Sequence, residues 1–89
     1  MLWVTRVPGT FALRAALAEQ IRLSRKKCAL TQEDLAWRSG LHRTYVSMIE
    51  RAQRSPTIDS LEKIASALGM SASALLARAE KRGTRKNPR

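Results

Sequence analysis

The sequence predicts an all-α domain of five helices, and three observations carry that expectation. Apolar residues recur at spacings of three and four along most of the chain, the period of one helix face. Helix-start residues precede four of these stretches, at Thr10, Thr31, Thr57 and Ser71, while Gly40 and Gly69 follow two of them. Strand signals are almost absent: only Leu2 to Val7 alternates, and it ends at the turn pair Pro8-Gly9.

Taken in order, residues 1–10 form an N-terminal extension, and Thr10 is placed to cap a helix from Phe11 to Lys27. Its Leu13, Ala16, Leu17 and Ile21 make a stripe expected to face a core. Thr31 with Asp34 three residues later resembles a capping box and opens a short helix from Gln32 to Arg38. Gly40 ends it, since glycine reaches positive φ without a Cβ penalty, and a second short helix follows from Arg43 to Arg51. Two short helices joined by a glycine turn are a DNA-binding motif. Pro56 and Thr57 lead into a helix with Leu61, Ile64, Ala65 and Leu68 on one face, closed by Gly69. Ser71 caps a last helix from Ala72 to Glu80. Lys81, Arg82, Arg85, Lys86 and Arg89 then make residues 81–89 a basic tail with no apolar pattern, expected to be mobile.

Composition narrows the functional classes. The 89 residues hold 17 Lys and Arg against 7 Asp and Glu, a net charge of +10, so an acidic partner is expected, nucleic acid before membrane. A chain of this size buries only about 60 to 65% of its unfolded surface, enough for one small core in one domain. Cys28 is the single cysteine and His42 the single histidine, which excludes an intramolecular disulfide and leaves no structural zinc site. No cofactor or metal is expected. Glycine-rich phosphate loops and a separated carboxylate pair are missing, so an enzyme is not expected either. With no membrane-length apolar run and no signal-peptide pattern at the start, a cytoplasmic location is the default.

From Ile21 to Leu76 the chain resembles the Cro and phage-repressor type of helix-turn-helix domain, the xenobiotic-response-element family with its five-helix lambda-repressor-like fold. The residues that carry the resemblance are Ile21-Arg22-x-x-Arg25, Leu30-Thr31-Gln32-Glu33-Asp34-Leu35-Ala36, Gly40-Leu41-x-Arg43-Thr44-Tyr45-Val46-Ser47-x-Ile49-Glu50-Arg51 and Pro56-Thr57-x-x-x-Leu61-x-x-Ile64-Ala65-x-x-Leu68-Gly69. The run Arg43 to Ser47 with Ile49-Glu50-Arg51 is similar to the controller proteins of restriction-modification systems. Two positions depart from the family, which often has glycine where this chain has Ala29 and Ala52. Positive φ at Ala52 would carry strain of about 1 to 2 kcal/mol, so either the backbone there differs locally or the domain tolerates the strain.

The resemblance implies a dimeric transcriptional regulator on a palindromic operator in double-stranded DNA, with the second short helix in the major groove. It places Arg43, Thr44, Ser47 and Met48 at base edges. Arg43 is the foremost specificity residue, because a guanidinium matches O6 and N7 of guanine with two parallel donors. Tyr45 joins them as a base contact, against a plainer role as a solvent-edge aromatic supporting Arg51 or Trp37. Gln32, Arg51, Gln53 and Arg54 are implied phosphate contacts, and His42, a poor helix cap when neutral, is assigned to a phosphate as well. Arg25 and Glu50 match a pair that bridges the first and third helices, a structural role.

Leu35, Ala36, Leu41, Val46, Ile49, Leu61, Ile64 and Leu68 fit core positions. Trp3 and Trp37 are read as packing anchors, and Cys28 as a small residue at a helix end in preference to a redox sensor. For the homodimer, Ala72, Leu75, Leu76 and Ala79 on the last helix offer apolar area for a seam, unless the leucines close the monomer core instead. The alternative from another class is an antitoxin or adaptor module whose main activity is binding a separately encoded protein partner.

Overall fold

The computed structural model describes the backbone of residues 10–86 and the side chains of residues 12–82. Five helices follow one another: α1 (Thr10–Lys27), α2 (Gln32–Ser39), α3 (Arg43–Glu50), α4 (Ile58–Ala67) and α5 (Ala72–Lys86). The expected all-α, five-helix architecture is the observed one, and no strand occurs among the described residues. None of the helices is long and apolar enough to cross a membrane.

Local chemistry accounts for the boundaries. The Thr31 hydroxyl accepts from the Asp34 amide at 2.9 Å and the Asp34 carboxylate accepts from the Thr31 amide at 3.0 Å, completing the capping box at α2. Those bonds, the one from the Thr31 backbone foremost, hold the Asp34 carboxyl below its ordinary range. Thr57 caps α4 through the Ser60 amide, and Ser71 accepts from the Ala74 amide at the start of α5.

Helices α1 to α4 all end in the same device. A residue with positive φ donates its amide three residues back, and the next amide reaches five residues back, as in Leu30 to Arg25, Leu41 to Ala36, Gln53 to Met48 and Met70 to Ala65. Glycine fills the left-handed position at Gly40 and Gly69, but Ala29 and Ala52 fill it at φ 60°. The backbone thus keeps the turn that glycine serves elsewhere, and alanine carries the strain. Ala52→Gly is expected to stabilise the domain by about 0.5 to 1 kcal/mol, the relief of strain less the entropy gained by the unfolded chain. Thermal unfolding checks this, with a midpoint raised by several degrees as the expected result; a lowered midpoint would show that the turn costs alanine nothing.

The core draws on every helix. Leu17 and Ile21 of α1, Leu35 and Ala36 of α2, Val46 and Ile49 of α3, Leu61, Ile64 and Leu68 around α4, and Leu75 and Ala79 of α5 form one buried cluster. Leu41 packs against it half-buried. α1 and α5 lie side by side, and α2 rests on both α3 and α4.

Four expectations need correction. Leu13 is 36% exposed, because the buried stripe of α1 begins a turn later, at Ala16. Trp37 is 86% exposed and is no packing anchor: the buried residues of α2 are Leu35, Ala36 and Ser39, and Trp37 lies on the opposite side of the helix. α5 continues through Lys86, past the expected end at Glu80, so the start of the basic tail is helical. Beside α1, Arg82 donates to Gln20 at 3.3 Å, which gives that added turn a surface to rest on. Leu75 and Ala79 have no exposed surface at all, being covered within the monomer, whereas Ala72 and Leu76 are half-buried. The expectations for Leu2 to Val7, Trp3 and residues 87–89 lie outside the described residues.

Candidate nucleic-acid interface

Helix α3 divides its side chains cleanly. Val46, Ile49 and Glu50 are buried, Arg43 and Thr44 are exposed, and Ser47 and Met48 are half-exposed. Residues 43, 44, 47 and 48 follow the i, i+1, i+4, i+5 spacing of one outward face. His42 occupies the position before α3 but makes no side-chain capping bond, so the first amides of the helix lack an intramolecular cap. Beyond the other end, Arg51, Gln53 and Arg54 stand exposed in the loop to α4, with the Arg51 Nε turned toward the Ser47 carbonyl at 3.4 Å. The outward face is therefore flanked by an uncapped N-terminus and by a short run with two cations, an arrangement suited to a polyanion with readable edges.

The angle of α3 to the body is set beneath this face. Arg25 Nε and Nη2 reach the two carboxylate oxygens of Glu50 at 2.7 and 3.1 Å, a bidentate pair buried between α1 and α3. Arg25 Nη1 also donates to the Leu30 carbonyl at 2.7 Å, which ties in the turn between α1 and α2. The sequence reading did not anticipate the fourth member: Gln32 Nε2 donates to Glu50 Oε1 at 3.1 Å. Gln32, expected as a phosphate contact, is thus first a strut between the start of α2 and the end of α3. No buried side-chain donor or acceptor among the described residues is left without a partner.

Tyr45 does not share the face of Arg43. Its ring packs half-buried against the core, and its hydroxyl accepts from the Thr57 amide at 3.4 Å. The polar groups of Ser60, and then of Thr57, beside the hydroxyl lower the phenol's proton affinity below its ordinary value. The guanidinium of Arg54 lies over the ring, 5.4 Å from its centroid. Tyr45, expected as a base contact or as a support for Arg51 or Trp37, thus sits beside Thr57 and Arg54 on the flank of α3. Its four-residue spacing from the fully buried Ile49 was the signal available in sequence. Cys28 is exposed at the end of α1, and no cluster of metal-ligating side chains occurs among the described residues.

The helix-turn-helix family profile matches residues 21–75, which include α2, α3, the turn between them and α4. The chain belongs to the helix-turn-helix family. Among helix-turn-helix relatives, the Neisseria hypothetical transcription factor of Neisseria meningitidis serogroup B is 44% identical over 70 residues, covering 79% of this chain and 66% of that protein. Control protein C.BamHI of Bacillus amyloliquefaciens is 51% identical over 57 residues, covering 64% of this chain and 68% of that one. The chain thus spans about two thirds of the length of these two curated relatives.

Among solved structures, the restriction-modification controller protein C.Esp1396I, as a tetramer in complex with its natural 35 base-pair operator, superposes with a TM-score of 0.73 at 39% identity, covering 80% of this chain and 93% of that one. The clp gene regulator ClgR from Corynebacterium glutamicum superposes with a TM-score of 0.79 at 28% identity, covering 84% of this chain and 80% of that one. The chain is a transcriptional regulator of the helix-turn-helix type, and it resembles restriction-modification controller proteins.

Proposed function

We propose that this regulator binds a palindromic operator in double-stranded DNA as a homodimer, in the cytoplasm, with α3 in the major groove of each half-site. The observation that carries the reading is the outward face of α3, where Arg43, Thr44, Ser47 and Met48 stand free of the core beside an exposed basic loop. Arg43 reads a guanine and the Thr44 methyl meets a thymine methyl, while His42, Arg51, Gln53 and Arg54 hold the phosphate backbone. Gln32 contributes from the start of α2 through whatever donor capacity its bond to Glu50 leaves. The operator complex of C.Esp1396I and the controller proteins among the relatives support this role, and its tetramer supports a multimeric protein. With Leu75 and Ala79 buried, the expected seam reduces to the surface of Ala72 and Leu76.

The test is selection of bound sequences from a random duplex pool at about 150 mM salt, where nonspecific attraction is weakened, repeated with Arg43→Ala. Wild type is expected to enrich two half-sites about 34 Å apart, and the variant to lose one guanine position per half-site at a cost of about 1 to 3 kcal/mol. Failure of wild type to enrich any motif would sink the reading. One observation favours a second one: Trp37 stands exposed one helical turn from Glu33 on α2, as a side chain for protein contact would. Retention of wild-type DNA affinity by Arg43→Ala and Gln32→Ala, with a partner protein co-purifying, would move the function to that face and to the adaptor or antitoxin class.

A further inference from the structure

The loop between α3 and α4 combines exposed cations with contacts to both α1 and α3. An arginine on a free loop must be ordered before it can grip an anion, and ordering a long side chain weakens the grip. Here the ordering is already built in. At the far end of the loop the Thr57 amide is held by the Tyr45 hydroxyl, and in its middle the Arg54 guanidinium rests over the Tyr45 ring. From the other side, Arg14 of α1 reaches the Ala52 carbonyl at 3.4 Å, at the residue whose positive φ turns the chain out of α3.

Tyr45 is central to this bracing because of where it sits on α3. Being in the first turn of the helix but on the flank beside Ile49, it is fixed to the core on one side and faces the loop on the other. The loop cation is thereby set in place relative to α3 by a side chain of α3 itself.

We propose that Tyr45 is a positioning residue that holds Arg54 ready for a DNA phosphate, so that it sets the strength of binding and leaves base preference to the outward face of α3. The proposal rests on the DNA-binding reading above. It assigns to a recognition-helix tyrosine a role distinct from base contact, and it makes Arg54 an ordered phosphate ligand.

The experiment measures affinity against salt for the duplex enriched from the random pool and for a mixed-sequence duplex. Wild type is compared with Tyr45→Phe, Tyr45→Leu, Arg54→Met and the double variant Tyr45→Leu/Arg54→Met. Loss of one ordered phosphate contact lowers the log–log salt slope by about 0.9, so Tyr45→Leu and Arg54→Met are each expected to lower it by that amount on both duplexes. The double variant is expected to lose no more than Arg54→Met alone. Tyr45→Phe, which keeps the ring under Arg54, is expected to keep the slope. In the free protein, NMR resonances of the Arg54 side chain are expected to be ring-current shifted in wild type and Tyr45→Phe.

A changed base preference in Tyr45→Leu would overturn the proposal in favour of direct readout. An unaltered slope in Arg54→Met, whose side chain is exposed and whose folding is not at stake, would overturn it too, as would unshifted Arg54 resonances or additive losses in the double variant. If wild type itself bound neither duplex, the DNA-binding reading would fall and this proposal with it. Any of the other results, obtained with a wild type that binds, would remove the proposal alone.

Discussion

Glu50→Ala is expected to cost about 3 to 5 kcal/mol of folding stability, because it leaves the buried Arg25 guanidinium without its counter-charge. Glu50 accepts three hydrogen bonds, two from Arg25 and one from Gln32, and its side chain has 2% of its surface exposed. Truncation therefore removes more than one ion pair. It strands the Arg25 charge between α1 and α3, frees Gln32 at the start of α2, and leaves a cavity where the carboxylate stood. A domain of this length has a net stability of roughly 4 to 13 kcal/mol, so the variant sits near the edge of folding at ordinary temperature.

Replacing both partners by apolar residues, as in Arg25→Met/Glu50→Leu, is expected to recover much of that loss, since a well-packed apolar pair avoids the desolvation cost of two charges. Urea unfolding of Arg25→Met, Glu50→Leu and the double variant closes the cycle. Simple additivity of the two single losses would show that Arg25 and Glu50 do not act as a pair. The recovered double variant also separates stability from function. It lacks the anchor for Gln32, so weaker DNA binding at restored stability would show that the network sets the pose of α2 and α3 as well as holding them together.

The second large effect is expected at Leu75. Its side chain is fully buried among residues of the common core, so Leu75→Ala removes three carbons from a covered site and should cost about 2 to 5 kcal/mol, depending on how far α5 relaxes toward α1. A residue in a dimer seam would behave differently. Its truncation would weaken assembly and make the unfolding midpoint more dependent on protein concentration, with little change in the stability of the monomer. Urea unfolding at two protein concentrations, with sedimentation of the folded variant, distinguishes the two. Unchanged unfolding with a weakened dimer would return Leu75 to the subunit surface. The contrasting substitution is Leu76→Ala, at a half-buried position, expected to disturb the monomer less and assembly more.

The features legible in sequence are those whose cause lies within four or five residues. A hydroxyl three positions before an amide caps a helix wherever the rest of the chain goes, so Thr31, Thr57 and Ser71 marked the helix starts correctly. The same holds for the turn at Gly40, whereas at Ala52 the sequence left open whether the backbone would keep a positive φ, and the structure shows that it does. On α3 the structure buries Val46 and Ile49 and exposes Arg43 and Thr44, the placement that the family resemblance implied.

Only the tertiary structure decided which apolar or aromatic side chain is covered when the local pattern permits either outcome. Trp37 is the largest side chain on α2, yet the contact of α2 with α3 and α4 falls on Leu35, Ala36 and Ser39 and leaves the indole outside. Leu75 and Leu76 are adjacent and chemically identical, and the placement of α5 against α1 and α4 buries the first more deeply than the second. Tyr45 lies one helical turn before Ile49 on the flank of α3, and only the fold brings Thr57 and Arg54 beside it. The sequence by itself determined where the helices begin and where α2 and α4 turn, because capping and glycine turns are local. Which faces are covered, and which side chains brace the recognition helix, depend on the placement of elements far apart in the chain, and no local period encodes that.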